Sequence, residues 1–510
     1  MTPTSGYVEA DASGPFAGAP APATPRPAAP DRQQAAARAL TIFFSFLWAF
    51  AALFHQAAYP SRAFGFSALL VTLPSLVLLA APGSLPRLTA VAALQVVHVM
   101  RLGPGNVSNH WIFTFFVNVT ILLTVATLLV RGRGRGVGRG DFFLHFAPTA
   151  RVLLLVLYTF AVVHKLNAGW FTPALSCATD HYASIAARLP FLPRGSWVDA
   201  GVIYGTLLVE AAIPFLLVAT RTRLFGVLLA VVFHFGLVLN PSHVFFDFSS
   251  MLFALYFLFL PYDYWNALRV QPLRMKAGQW VRSRLDGGTL RRGGRWVAYG
   301  MAALLIGAYL FRLAPETRAQ VWAMRESVRA LFVVYGMALI ATFLVVARAR
   351  DVVGGSRALV SFRPLTVWGV VMPAVVFFNG MNPYLGLKTE SSFAMFSNLR
   401  TEGGVTNHLF IPSALQVATY QDTLVRVIGS SDPALARFGR QPRLLTMFEF
   451  RRKTARVPEA SVTYAVGERV HAVPRIGAVP LLATPPSTLE RLFLNFRTVA
   501  APGTEMGCRH

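Results

Sequence analysis

Along the chain, apolar runs recur at bilayer length and are broken by short polar stretches rich in arginine. A helix that crosses a bilayer needs about 17–25 mostly apolar residues. Runs of that kind stand at 39–59, 65–83, 111–130, 146–166, 198–220, 224–240, 296–313 and 327–347. Three shorter ones, at 88–100, 249–262 and 365–380, join the set if their helices tilt or are sheltered by neighbours. The pattern predicts an all-α polytopic transmembrane helix bundle of about 9–11 spans. After about position 383 the apolar runs shorten and polarity rises. Stretches such as Leu445 to Phe450 and Ser461 to Val466 have the composition and length of strands. They predict a β-rich C-terminal domain over 383–510. Residues 1–36, rich in proline and alanine and without an apolar core of signal-peptide type, read as a disordered tail ahead of an uncleaved first span.

Composition sharpens the class. Of 510 residues 55% are hydrophobic and only 14% charged, against roughly a quarter charged in soluble domains. The net charge of +25 invites a nucleic-acid reading, but no recognition motif accompanies it. Much of the arginine sits instead in loops between apolar runs, as in cytoplasmic loops of membrane proteins. With the N-terminus inside, the tract Arg131, Arg133, Arg135, Arg139, the pair Arg221 and Arg223, the basic linker 263–295 and the group Arg348, Arg350, Arg357, Arg363 all fall on the cytoplasmic side. The loop 312–326 dissents, with Arg312, Arg318 and Arg325 outside. The expected organisation is a transmembrane domain at 37–262, the cytoplasmic linker, further spans at 296–382, and an extracytoplasmic domain at 383–510. The expected location is the plasma (inner) membrane.

Candidate chemistry comes from polar groups set in apolar runs, which are costly there and mark cavities or pathways. Lys165 ends a run that is uncharged from Val152 to Val163, just ahead of the helix-stopping Asn167, Gly169, Trp170 and Pro173. Either it snorkels to the headgroups or it faces inward, partly desolvated, as an amine able to act as a base. Glu210 lies mid-run before Pro214, where pairing with a neighbouring helix would explain it. His98, His110 and His234 lie in or at the start of apolar runs; each singly is explained as a core residue bonded to a backbone carbonyl. His243 and Asp247 fall toward the same outer side as Lys165 and His110. No HExxH, Walker-A or GxSxG pattern is present. His234 and His243 lack a third ligand at fixed spacing, so no metal is expected. The two cysteines, Cys177 and Cys508, share the oxidising side in this topology. A disulfide between them and two unrelated thiols both fit the spacing.

The segment VVHKLNAGWF, Val162 to Phe171, resembles the KLDADW region of vitamin K-dependent gamma-carboxylases and of the wider horizontally transferred transmembrane family. Ser108-Asn109-His110-Trp111 is similar to that family's NNHSY, and Phe233-His234 to the start of its FHCMNS, in the same order. The likeness covers about 39–262, and 385–409 looks like a bacterial branch of the family. Asn167 and Gly169 stand where the carboxylases have aspartates, and the spacing after His234 is longer. The resemblance implies a membrane enzyme that couples oxidation of a reduced lipid quinone (vitamin K or menaquinone) to carboxylation of a glutamyl peptide or protein, with O2 and CO2 as co-substrates. Lys165 would be its base. Asn109, His110, Asn167, Trp170, Glu210 and His234 would form the quinone and substrate pocket. The alternatives are a non-carboxylating quinone or lipid oxidoreductase on the same scaffold, and a non-enzymatic membrane transport or binding protein in which Lys165 snorkels.

Overall fold

The computed structural model describes residues 29–58, 66–260, 317–347, 360–501 and 508, with isolated positions between 296 and 303. The linker at 263–295 and most of the run at 296–313 lie outside the described residues, as does most of the N-terminal tail. Helix α1, Ala29–Ala58, starts inside the stretch read as tail. Its Gln-Gln-Ala-Ala-Ala-Arg-Ala sequence is made of strong helix formers, which extend the helix beyond its apolar part.

The bundle continues with α2 (Phe66–Ala80), α3 (Leu85–Leu102), α4 (Asn109–Arg131) and α5 (Arg139–Val163). A short α6 (Ala168–Phe171) and α7 (Cys177–Arg188) follow, then α8 (Ser196–Val218), α9 (Arg223–Leu237), α10 (Phe246–Tyr256), α11 (Arg318–Ala347) and α12 (Trp368–Leu385). Every apolar run that falls in the described residues is thus helical. Five described stretches are long and apolar enough to cross a membrane: Gln33–Ala58, Asn109–Arg131, Arg139–Val163, Ser196–Val218 and Ala319–Leu344. Leu69–Ala80, Arg223–Leu237 and Phe246–Phe259 are shorter apolar helices.

Helix α1 is central, packed against α2, α5 and α10. Its hydroxyls turn back on their own helix: Thr41 Oγ1 donates to Ala37 O and Ser45 Oγ to Thr41 O, so neither is left unpaired in apolar surroundings. Arg151 in α5 is fully buried and donates to Leu258 O (2.8 Å) and Ser361 O (2.6 Å), carbonyls beyond the end of α10. Outward faces stay apolar: Leu208 and Phe215 of α8 are 70% and 77% exposed, and Phe225, Val334 and Phe378 are exposed as well. Large contiguous apolar exposure of this sort is rare in water.

The C-terminal part is mixed rather than β-rich. Residues 386–423 carry no long element and run across one end of the bundle. Beyond them lie β1 (Leu424–Ser430), α13 (Pro433–Gly439), β2 (Arg443–Thr446), α14 (Met447–Thr454), β3 (Val462–Val466), β4 (Arg469–Val473), α15 (Pro480–Ala483), α16 (Thr488–Phe493) and β5 (Val499–Ala500). The antiparallel sheet has the order β4-β3-β1-β2-β5 and buries Val425, Val427, Leu445, Val462 and Tyr464. The strand expected to reach Phe450 stops at Thr446, whose Oγ1 accepts from Glu449 N and starts α14.

Hydrogen bonds and a disulfide join this part to the bundle. Arg452 Nη1 donates to Asn106 Oδ1 (2.6 Å) and Asn495 Nδ2 to Gly105 O (2.7 Å), while a disulfide ties Cys508 to Cys177 at the start of α7.

Candidate functional site

Tyr158, Ala161 and Lys165 are spaced at i, i+3 and i+7, which puts them on one face at the end of α5. Helix geometry ends at His164. Asn167 then takes the N-cap of α6, its Oδ1 accepting from Trp170 N (2.9 Å) and its Nδ2 donating to Ser397 O (2.6 Å) and His164 O (2.7 Å). This tight reversal lays the Trp170 ring 5.3 Å from Lys165 Nζ. The ammonium does not reach outward. It is 6% exposed, donates to Ala161 O (3.1 Å) and meets Glu210 Oε2 of α8 at 2.5 Å, with Glu210 itself 9% exposed. Two opposite charges are held together in apolar surroundings, where neither would be tolerated alone.

The pair opens onto a cavity of about 360 Å3 bounded by α5, α6, α7, α8, α9 and α10. Most of its wall is apolar; the polar exceptions include Trp170, His181, His234 and Tyr158. His234 Nε2 lies 3.0 Å from Tyr158 Oη, which is in turn bonded to Tyr256 Oη, and Ser249 Oγ donates to His234 O. Trp170 Nε1 and His234 Nδ1 are buried and have no hydrogen-bond partner among the described residues. An occupant with an apolar body and polar atoms at its edge matches that wall, since buried polar groups are nearly always paired.

A second chamber, about 640 Å3, lies where the bundle end meets the C-terminal part. Asn109 and His110 line it from the start of α4, and Glu390, Glu449, Arg452, Lys453 and Arg497 from the other side. His110 Nε2 is 2.6 Å from the buried Asp247 Oδ2, and Asn109 Oδ1 accepts from Phe393 N (2.5 Å). The two cavities share Phe245, Phe248, Met395 and Phe396 as a common wall. His110 and His234 pack against Phe248, with ring centroids at 5.9 and 5.4 Å.

The wall segment is conformationally unusual. Ser391, Phe393, Phe396 and Asn398 have φ of 53°, 66°, 52° and 58°. A non-glycine residue in that region costs of order 1 kcal/mol or more and persists only where its surroundings hold it. Here Val107 O and Gly105 O hold Ser391, Asn109 holds Phe393, and Leu175 O and Cys177 N hold Asn398.

Of the residues expected to form one pocket, the fold brings Lys165, Trp170, Glu210 and His234 together at the apolar cavity. Asn109 and His110 line the other chamber, and Asn167 lines neither, because its side chain is consumed in capping α6 and tying down 397–407. Sequence reading missed Tyr158 and His181. The helical spacing from Lys165 points to the first; nothing local marks the second. It also missed the acidic and basic groups of the C-terminal part that face His110. No family model, no curated protein and no solved structure matches this chain.

Proposed function

We propose that the chain is an integral membrane enzyme of the vitamin K-dependent gamma-carboxylase-like class, working on a reduced lipid quinone in the apolar cavity and a glutamyl acceptor in the adjoining polar chamber. The observation that carries this reading is the buried Lys165–Glu210 pair facing an apolar cavity in which two further polar atoms lack protein partners. An aromatic ring with oxygens at its edge and an isoprenoid tail suits that donor set. The apolar outer faces of α8, α9 and α11 favour a lipid setting, from which such a molecule is drawn.

Within this reading Lys165 and Glu210 act as one proton acceptor. A proton moving from Nζ to Oε2 leaves a neutral amine free to take another; with the proton kept on Nζ, the cation steadies negative charge developing on the reacting oxygen. Trp170 Nε1 and His234 Nδ1 orient the ring, the latter through the Tyr158 and Tyr256 hydroxyls behind it. When bound, the hydroquinone supplies, with O2, the strong base that removes the glutamyl γ-proton, giving quinone epoxide, water and, after CO2 adds, a γ-carboxyglutamyl product. The apolar wall keeps that chemistry from bulk water. His110, held by Asp247, faces the acceptor, with Phe248 in the wall shared with the quinone cavity.

The same reading includes a topology with the arginine-rich side cytoplasmic and the C-terminal part extracytoplasmic. It is supported by the ends of α4 and α5 at Arg131 and Arg139, which lie opposite the ends carrying Asn109 and Lys165, and by the Cys177–Cys508 disulfide.

Purified chain given reduced menaquinone or vitamin K, O2 and labelled bicarbonate should produce quinone epoxide and labelled glutamyl product, and Lys165→Ala should lose both. Epoxide without label points to a non-carboxylating oxidoreductase; neither quinone turnover nor quinone binding leaves a membrane transport or binding protein.

A further inference from the structure

Helix α7 begins with Cys177, Asp180 and His181 at i, i+3 and i+4, on one face. Cys508, near the end of the chain and 331 positions from Cys177, is bonded to it there. The fold thereby brings a carboxylate oxygen of Asp180, a ring nitrogen of His181 and Cys508 Sγ within 4.8 Å of one another. A further side chain steadies the carboxylate: His243 Nε2, from the turn between α9 and α10, lies 3.8 Å from Asp180 Oδ2. Asp180 is exposed, so an ion reaches the group from water.

Four donors of these types suit a tetrahedral zinc ion, whose ligand atoms stand about 3.3–3.8 Å apart. Side-chain movements of about 1 Å close the set to that spacing. Asn240 Nδ2 is shared between His181 Nδ1 (3.3 Å) and His181 O (3.4 Å), both long, and keeps the carbonyl when the ring turns to the ion. Two of the donors are withheld in this structure, because a disulfide sulfur carries no negative charge and the thiolate is the form that binds metal.

We propose that Cys177, Asp180, His181 and Cys508 form a redox-gated zinc(II) site, closed while the disulfide stands and open to one ion when it is reduced. It stands apart from the preceding reading and needs neither quinone nor glutamyl acceptor. A dithiol opens the gate by exchange: the Cys177–Cys508 bond breaks, two electrons and two protons pass from the dithiol to the two sulfurs, and the dithiol closes to its own disulfide. Each protein thiol then yields its proton to water on binding, so two thiolates, one imidazole and one carboxylate hold the ion. Thiolate and imidazole select zinc over magnesium or calcium. The gate adjoins the apolar cavity. His181 lines that cavity with its ring 4.5 Å from that of Phe396, and Cys177 N donates to Asn398 Oδ1 (2.9 Å) in the same strained segment.

The test is zinc uptake by the purified full chain in detergent, oxidised or else reduced with dithiothreitol and desalted under nitrogen. Metal per chain is counted by inductively coupled plasma mass spectrometry after gel filtration, and cobalt(II) replaces zinc in a parallel optical titration. The reduced chain should hold about one zinc more than the oxidised chain and should alone show thiolate-to-cobalt charge-transfer absorption. Asp180→Ala, at an exposed position, and His181→Ala should each weaken zinc binding to the reduced chain about tenfold or more, measured against a chelating dye. Zinc should raise the denaturation midpoint of the reduced chain and leave that of the oxidised chain unchanged. Equal uptake by the two redox forms, absent cobalt–thiolate absorption, or an affinity unchanged in both Asp180→Ala and His181→Ala overturns the proposal; the last outcome is also what zinc held by unfolded chain would give. None of these readouts involves quinone or peptide, so this site and the preceding reading fail separately.

Discussion

Replacing Lys165 by methionine takes away the ammonium and keeps the length of the side chain, leaving Glu210 facing an apolar cavity without its partner. The pair is 2.5 Å apart, with exposures of 6% and 9%. At an effective dielectric of about 20, unit charges at 4 Å attract by roughly 4 kcal/mol; desolvation cancels much of this in the intact pair, but a lone survivor keeps the penalty, so breaking such a pair costs about 3–5 kcal/mol. Glu210→Gln should cost a similar amount by stranding Lys165. The double variant Lys165→Met with Glu210→Gln strands no charge and is expected within about 1 kcal/mol of the parent, a coupling of roughly 5 kcal/mol or more. Denaturant titration of the four proteins in detergent, followed by tryptophan fluorescence, measures the cycle. Additive losses in the double variant would refute the reasoning, because they would mean that the two charges are solvated separately.

Other consequences are equally open to measurement. Reducing Cys177–Cys508, or replacing either cysteine by serine, should lower stability by roughly 2–4 kcal/mol, since the bond closes a loop spanning 331 positions; an unchanged denaturation midpoint under reductant would contradict this. Gly169→Asp, which places a carboxylate where the carboxylase motif it resembles has one, should destabilise by about 1–3 kcal/mol, because a Cβ there meets Asn398 Cβ at 3.2 Å and Asn167 Oδ1 at 3.3 Å. Lys388 and Glu390 should make opposite contributions to the pH dependence of stability, meeting near pH 7. Glu390, raised from 4.5 to about 7, binds its proton more tightly when folded, so stability falls as pH rises to 7. Lys388, lowered from 10.5 to about 7, binds its proton less tightly when folded, so stability rises from pH 7 upward. Glu390→Gln should flatten the contribution below pH 7 and Lys388→Met that above it in urea titrations across pH, by at most about 3 and about 5 kcal/mol. If the two cavities hold different substrates, His234→Ala should raise the KM for hydroquinone and His110→Ala that for the glutamyl peptide; the same KM moving in both would merge the sites.

The apolar runs alone determined where the long helices of the bundle lie. Each apolar run within the described residues forms a helix, because burying or lipid-facing an uninterrupted apolar stretch requires its backbone to pair internally. The same pattern also singled out Lys165, Glu210 and His234, since ionisable groups amid such runs stand out in composition. Distance was beyond its reach. That Glu210, 45 positions away, pairs with Lys165, that His110 and His234 line different cavities sharing Phe248, and that Asn167 is spent on a cap are decided by how helices pack and by where 386–423 crosses the bundle. The strained turn around Phe393 and Phe396 has no local signature, because its left-handed residues are held there by α4 and α7 contacts from hundreds of positions away. Local patterns encode what a segment must do with its own backbone and apolar face; which charges meet, and which cavity they enclose, depends on the whole chain closing around them.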